Sequence, residues 1–318
     1  MFNEMKYVYA VYQHRSFSKA AKQLFVTQPT LSAMIRKVEE GIGCPIFDRS
    51  TVPITVTKEG EFYIHSIEKI IAIQKNIADY FQDIADLKSG ELSIGGSSYF
   101  CSYFLGEIIG RFKQRYPGIQ INLQEGNIAE LKAGLQSSEL DLILETALNE
   151  EDTNIQKFLL GTEHVILCVP SSFSVNDRLK DFRLSFEDMR SQRYLEAAVP
   201  AVPLGELRET PFLIMKRGND MYQRSIGMCK RAGFHPKVAI QLDQLLTSFF
   251  IASSGAGAVF MRAELCRYLP STDDMAFYKL DDPLATRPIF MACKKGRYIS
   301  QAMRAFLEMA GAELMQEK

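Results

Sequence analysis

Residues 16–40 read SFSKAAKQLFVTQPTLSAMIRKVEE, and this stretch decides how the head of the chain folds. Ser16 or Ser18 can accept a first-turn backbone N–H, so either can cap a short helix over Ser18 to Leu24. Ala20 and Ala21 are small enough for another helix to cross closely. Phe25-Val26 forms a turn, Thr27 caps the next helix, and Pro29 is tolerated in its first turn, where no N–H is needed. Leu31, Ile35 and Val38 recur at helical spacing and form a buried stripe. Gln28, Thr30, Ser32, Ala33, Arg36 and Lys37 are left facing outward. Two short helices around a tight turn, the second opening on small polar residues, are the layout that sets one helix in a DNA major groove.

Upstream, Phe2 to Gln13 reads as a helix, with Phe2, Met5, Val8, Tyr9 and Tyr12 on one face. Downstream, Gly43, Pro45 and Pro53 punctuate a hairpin-like wing carrying Arg49. A long helix is expected from Lys58 to Lys88. Tyr63, Ile67, Ile70, Gln74, Ile77, Phe81 and Ile84 alternate spacings of four and three, a heptad seam with one polar break. We read it as a dimer seam; the competing role is packing on its own domain.

After Ser89-Gly90 the pattern changes. Strands are expected at Leu92 to Gly95, Ile119 to Gln124 and Asp141 to Glu145, with helices at Phe104 to Arg115 and Ile128 to Ser137 between them. This β-α-β-α-β order implies a parallel sheet. A second unit starts with a strand at Val165 to Val169. It continues through a strand at Phe212 to Met215, a helix at Met221 to Ala232, a strand at Val238 to Gln241, a helix at Gln244 to Ser253 and a strand at Ala258 to Met261. Residues 277–280 and Pro288 to Ala292 read as returning strands, and Ile299 to Leu314 as a last helix. Arg190 to Thr210 shows no clear pattern.

The 318 residues suffice for two or three domains. Residues 1–58 carry eight basic and four acidic side chains, a net +4, which leaves −5 for the rest of a chain whose total is −1. A basic head on an acidic body fits a local nucleic-acid footprint. No apolar run approaches a membrane span, and the first residues lack the pattern of a signal peptide, so a cytoplasmic protein is expected. The six cysteines are scattered, as free thiols in a reducing compartment would be.

The head resembles the LysR-type transcriptional regulators. The residues that carry the likeness are Ser16-Phe17, Ala20-Ala21, Leu24, Val26-Thr27-Gln28-Pro29, Leu31-Ser32, Ile35, Glu39, Gly43, Phe47-x-Arg49 and Thr57-x-x-Gly60. Beyond them the match is looser, through element order, Tyr116-Pro117, residues 139–142 and Gly255-x-Gly257. The resemblance implies an α/β chain with an N-terminal winged helix-turn-helix (1–58), a dimerising linker helix (59–89) and a two-lobed effector domain of periplasmic-binding-protein type (90–318). It places the first crossing between lobes near Gly161 and the second near Glu264 to Leu269. Lobe 1 would then hold about 90–161 and 268–318, and lobe 2 about 162–267. It further implies double-stranded DNA as partner, a small-molecule effector, and a homodimer or homotetramer. The chain departs from the family pattern at Ala33, where a basic residue or Gln is common, at Met261, near which a Pro is usual, and at Tyr99, near which a small hydroxyl residue is usual.

On the recognition helix, Gln28 can make paired hydrogen bonds to an adenine edge, and Arg36 can reach guanine or phosphate. Thr30 and Ser32 suit phosphate or thymine-methyl contacts, and Pro29 offers a methyl an apolar face. Lys22, Lys37 and Arg49 suit phosphates, which orient the head without reading sequence. Together with Thr27 and Ala33, these residues form the expected DNA-binding set.

Ligands of two-lobed α/β proteins sit where strand ends meet helix starts. Gly96-Ser97-Ser98-Tyr99 follows the first strand, Ser102 lies about a turn further on, and Asn127 follows the second strand. Lys216-Arg217 follows a strand of the other lobe, and Asp243 is placed to cap the next helix. These residues suit a small, anionic effector. Cys101 falls near a helix start, where a thiolate is favoured; no resolving cysteine is near in sequence.

No metal or cofactor is expected: the four histidines are dispersed. Residues 255–259 read GAGAV, but a helix precedes and a strand follows, the reverse of a dinucleotide loop. Residues 150–152 read as solvated loop. No nucleophile setting appears, so an enzyme is not expected. The competing reading is an α/β enzyme or small-molecule carrier with an incidental helical head.

Overall fold

The structure is a computed structural model that describes residues 2–83, 90–146 and 152–315. Three helices open it: α1 (Phe2–His14), α2 (Phe17–Gln23) and α3 (Gln28–Ile42). Val8, Val11, Ala20, Leu31 and Ile35 are fully buried between them. Ser16, not Ser18, caps α2, its side chain accepting from the Lys19 N–H. Gly43 ends α3 at φ 79°, a left-handed conformation that favours glycine. A two-stranded antiparallel wing follows, β1 (Phe47–Asp48) and β2 (Thr55–Val56). Thr57 then ties the wing to the next helix. Its hydroxyl donates to the Pro45 carbonyl at 2.7 Å and accepts from the Gly60 N–H at 2.9 Å. A Cβ at Gly60 would collide with the Ile46 carbonyl, which explains the glycine of the Thr57-x-x-Gly60 signature.

Helix α4 (Lys58–Asp83) has 26 residues and is about 39 Å long. The expected seam divides along it. Ile64 and Ile67 are buried in the head core, whereas Ile73, Ile77, Tyr80 and Phe81 are exposed. Its first half therefore packs Ile64 and Ile67 on its own domain, although Phe62 is exposed, and its second half presents Ile73, Ile77 and Phe81 as an exposed apolar face. Ile84 and the expected extension to Lys88 lie outside the described residues. The same half of α4 is pinned to the α/β body by charge. Lys75 lies 2.6 Å from Asp141, Asp79 lies 3.0 Å from Arg297, and Arg297 also pairs with Asp141. The Tyr298 N–H donates to Asn76 at 3.1 Å.

The body begins with β3 (Gly90–Gly96), a π-helical turn over Phe100–Leu105, α5 (Gly106–Arg115), β4 (Ile119–Glu125), α6 (Ile128–Ser137) and β5 (Leu142–Glu145). β3 pairs in parallel with both β4 and β5, the arrangement expected from the β-α-β-α-β pattern. Then comes β6 (Ile155–Pro170), a single 16-residue strand. Its first part, which the sequence reading missed, pairs with β12 (Thr286–Lys294), and its second part with β10 (Ala258–Arg262) and β11 (Met275–Lys279). The remaining elements are α7 (Val175–Arg178), β7 (Arg183–Leu184), α8 (Phe186–Arg190), β8 (Pro211–Met215), α9 (Asp220–Arg231), β9 (Lys237–Leu242), α10 (Leu245–Ser253) and the closing α11 (Gln301–Met315). The sheet order is β4-β3-β5-β12-β6-β10-β8-β9, with β11 pairing both β6 and β7. Residues 255–257 form a helix-to-strand turn between α10 and β10, as read from sequence.

One expectation about the lobes needs correction. The first crossing falls between His164, which pairs with Thr286, and Val165, which pairs with Arg262, a few residues past Gly161. The second does not fall at Glu264 to Leu269. There the chain winds into a 3-10 turn (Ala263–Arg267) whose Leu265 and Cys266, with Leu269 beyond it, are buried in the second lobe. It then returns as β11 along β6, and Leu280 and Ala285 still pack in the core of the second lobe, so the chain crosses back only where Thr286 of β12 pairs with His164. On this geometry the second lobe holds residues 165–285. Residues 150 and 151, part of the expected solvated loop, lie outside the described residues. Among the described residues, no helix is long and apolar enough to cross a membrane.

Candidate functional site

The first candidate surface is the outer face of α3. Thr27 caps the helix, its hydroxyl accepting from the Thr30 N–H at 3.3 Å, and the two hydroxyls lie 2.7 Å apart. The Ser18 hydroxyl donates to Gln28 at 2.8 Å and so links the two helices of the motif. Leu31, Ile35 and Val38 turn inward and are buried. Lys22, Thr27, Gln28, Pro29, Thr30, Ala33, Arg36 and Lys37 are exposed, and Ser32 is half-buried. Amphipathic spacing and a capped start therefore hold these side chains on one open surface.

Arg49 behaves differently. Its guanidinium lies 2.7 Å from Glu39 and over the Phe17 ring, 5.1 Å from the centroid. Glu39 also accepts from the Ile46 and Phe47 N–H groups at 2.9 and 3.3 Å. Glu39 and Arg49 together clamp the wing onto α3, which accounts for both residues in the signature. The sequence reading gave Arg49 only a phosphate role.

The second candidate is the cleft between the lobes, about 930 Å³, at the upper end of the usual range for ligand pockets. Ser97, Ser98, Tyr99, Asn127 and Asp243 line it, as expected. Asn127 caps α6 in a capping box with Glu130. Three expected residues are not among the lining. Ser102 is exposed on the π-helical turn, whose Phe100 and Leu105 take the buried positions. Lys216 is drawn 2.6 Å from Asp243, and Arg217 is exposed. Nor does Asp243 cap α10, because Gln244 holds that position without a side-chain hydrogen bond.

Charges absent from the sequence reading form one wall. Arg262 Nε lies 2.6 Å from Glu163, and its Nη2 lies 3.4 Å from Asp220. Arg287 lies 3.1 Å from Asp220 and 3.5 Å from the Thr146 hydroxyl. Behind them, buried Arg224 pairs with Glu163 and donates to the Leu284 carbonyl at 2.8 Å. Burial opposes ionisation of Glu163, yet Arg262 and Arg224 hold its carboxyl below the ordinary range. The Arg262 guanidinium also sits over the Tyr99 ring, 4.5 Å from its centroid. Burial pushes the Tyr99 hydroxyl far above its usual range. The available signal was a lone charge beside an apolar strand run: Glu163 before residues 165–169, and Arg262 after residues 258–261.

Cys101 is not an activated thiol. Burial pushes it up to about 11, with the Glu125 charge adding to the shift. This corrects the expectation of a favoured thiolate.

Comparison with known proteins settles the family. Residues 2–61 match the model of the bacterial regulatory helix-turn-helix protein, lysR family, and residues 85–315 match the LysR substrate binding domain. The chain belongs to the LysR family. It is 28% identical over 313 residues to the HTH-type transcriptional regulator YcgK of Bacillus subtilis, covering 98% of this chain and 94% of that protein. It is 27% identical to BudR of Raoultella terrigena, covering 96% and 98%. A full-length OxyR variant from Pseudomonas aeruginosa shares the fold at a TM-score of 0.64 and 19% identity, covering 99% of this chain and 94% of that one. Full-length CbnR, solved with its target DNA, does so at 0.59 and 19%, covering 99% of both. LysR-family proteins are DNA-binding transcriptional regulators with a substrate-binding domain, so the competing enzyme reading falls.

Proposed function

We propose that this LysR-family regulator reads its operator with the outer face of α3 and its effector in the interlobe cleft. The observation that carries the first half is the division of α3 into a buried stripe and an open polar face. Gln28 and Arg36 read base edges, while Lys22, Lys37 and the outer edge of Arg49 meet phosphates. Residues 1–58 form the DNA-binding unit, 59–89 the linker, and 90–318 the effector unit. The exposed Ile73, Ile77 and Phe81 face supports pairing of two chains, in a dimer or a tetramer built from dimers. Two heads then meet a two-fold operator with half-sites about 10 bp apart or a multiple of it. Such a regulator works in the cytoplasm, beside its DNA.

The second half rests on convergence. The starts of α6, α9 and α10 and the Ser97-Ser98 segment all open into one cleft. Backbone N–H groups at helix starts favour a negative group, so the effector carries an anionic moiety.

The test is a gel shift on the DNA upstream of the protein's own gene. Gln28→Ala and Arg36→Ala abolish the specific shift; Arg36→Ala leaves thermal melting unchanged, and Gln28→Ala lowers it only by the loss of the exposed Ser18 hydrogen bond. Affinity also falls steeply with salt in the wild type. Retained operator affinity in both variants overturns the placement.

A further inference from the structure

Within the cleft, one carboxylate stands where a ligand's acid group would be held. Asp220 opens α9, and its Oδ2 lies 3.1 Å from Arg287, 3.4 Å from Arg262 and 3.8 Å from Arg224. These three arginines come from three elements, and Arg224 and Arg262 are almost wholly buried. Glu163 neutralises the cluster from behind, with no exposed surface of its own. Arg262 and Arg287 thus line the cleft with Asp220 between them, while Arg224 and Glu163 stand behind. Of the two acids, only Asp220 reaches the cleft, and its side chain is about a quarter exposed. The Ser97 hydroxyl of the lining is buried without a hydrogen-bond partner, as is one terminal nitrogen of Arg224 behind the lining. A cluster of this kind has donors left for an added acceptor.

Of the other acids of the cleft, Asp243 is held by Lys216, Glu130 accepts from the Asn127 N–H, and Glu145 accepts from the Thr146 N–H among its contacts. Glu125 is exposed at the end of β4.

We infer that Asp220 is a built-in stand-in for the effector's acid group: a carboxylate effector takes Arg262 and Arg287 by displacing it. The idea rests on the reading of the cleft as the effector site and names the class, a small carboxylate. Displacement is inexpensive for Asp220, since a first-turn acid remains favoured by the start of its own helix after it swings to solvent. Competition with the resident acid gives specificity, because only a group that satisfies both guanidiniums can replace it. Arg287 lies on β12 of the first lobe and Asp220 on α9 of the second, so the exchange replaces an existing bridge between lobes.

The experiment follows melting of the full-length protein in sodium acetate, with sodium chloride as ionic-strength control and methylammonium chloride as the cationic probe. Asp220→Asn removes the charge and keeps the shape. It is expected to bind acetate about tenfold or more tighter than wild type, and Asp220→Asn combined with Arg287→Ala to lose that binding. If Asp220→Asn does not melt cooperatively, Asp220→Ser carries the same comparison. Equal acetate dependence in wild type and Asp220→Asn, lost in Arg287→Ala, overturns the inference and leaves the cleft reading standing. Equal dependence that survives Arg287→Ala removes both. Stabilisation of wild type alone by methylammonium also overturns it, since Asp220 would then be a ligand for cations.

Discussion

The outer face of α3 and the inner wall of the cleft both depend on arginine, and they use it in opposite ways. Arg36 and Lys37 are exposed on a helix whose other side carries the packing. Arg224 and Arg262 keep only 2% and 8% of their side chains exposed and are tied to Glu163. A solvated cation contributes little to stability and is free to meet a partner. A buried cation must be matched, and removing its match is costly. The lesson is that the two surfaces separate function from stability to different degrees. At Arg36 and Lys37 the two can be changed independently, whereas at the cleft wall they are coupled.

That contrast can be broken at its strongest point first. Glu163→Ala strands two buried guanidiniums and is expected to cost about 3–5 kcal/mol, read by urea denaturation; a loss under about 1 kcal/mol would mean the cluster is not coupled to folding. The same residue gives the contrast a pH signature. Its carboxyl is held below the ordinary range in the folded state, so its contribution is complete above the unfolded value of about 4.3 and fades as pH falls through the folded one. Acid melts should therefore fall more steeply for wild type than for Glu163→Gln. A smaller effect belongs to Thr27→Ala, which removes the cap of α3 and is expected to cost about 1 kcal/mol of stability in thermal melts. Smallest is Arg36→Ala, within about 0.5 kcal/mol of wild type in the same melts although operator binding is lost. A large stability loss there would show that the outer face of α3 also holds the head together.

Legibility in the sequence follows the same division. The cap at Thr27, the stripe of Leu31, Ile35 and Val38 and the α/β alternation were all readable, because each is set by spacing within a few residues, while the choice between Ser16 and Ser18 as cap of α2 was left open. The cleft was located through Ser97, Ser98 and Asn127, which follow strand ends. Its charged wall was not. Glu163, Asp220, Arg262 and Arg287 come from β6, α9, β10 and β12, and no local period relates them. Lys216 and Arg217 illustrate the converse error: a strand end placed them beside the cleft in sequence, but Asp243 holds Lys216 and Arg217 is exposed away from the lining. The second crossing was misplaced because it was carried over from the resemblance, while the apolar members of residues 263–267 are core of the second lobe.

The 16 residues of β6 run through both lobes, and the return passage meets them at the same level, where Thr286 of β12 pairs with His164. The lobes are therefore joined by two neighbouring strands, one of them about 50 Å long, and not by loops. A ligand that draws the cleft together acts on this strand pair, in a body that already grips α4 at Asp141 and Arg297.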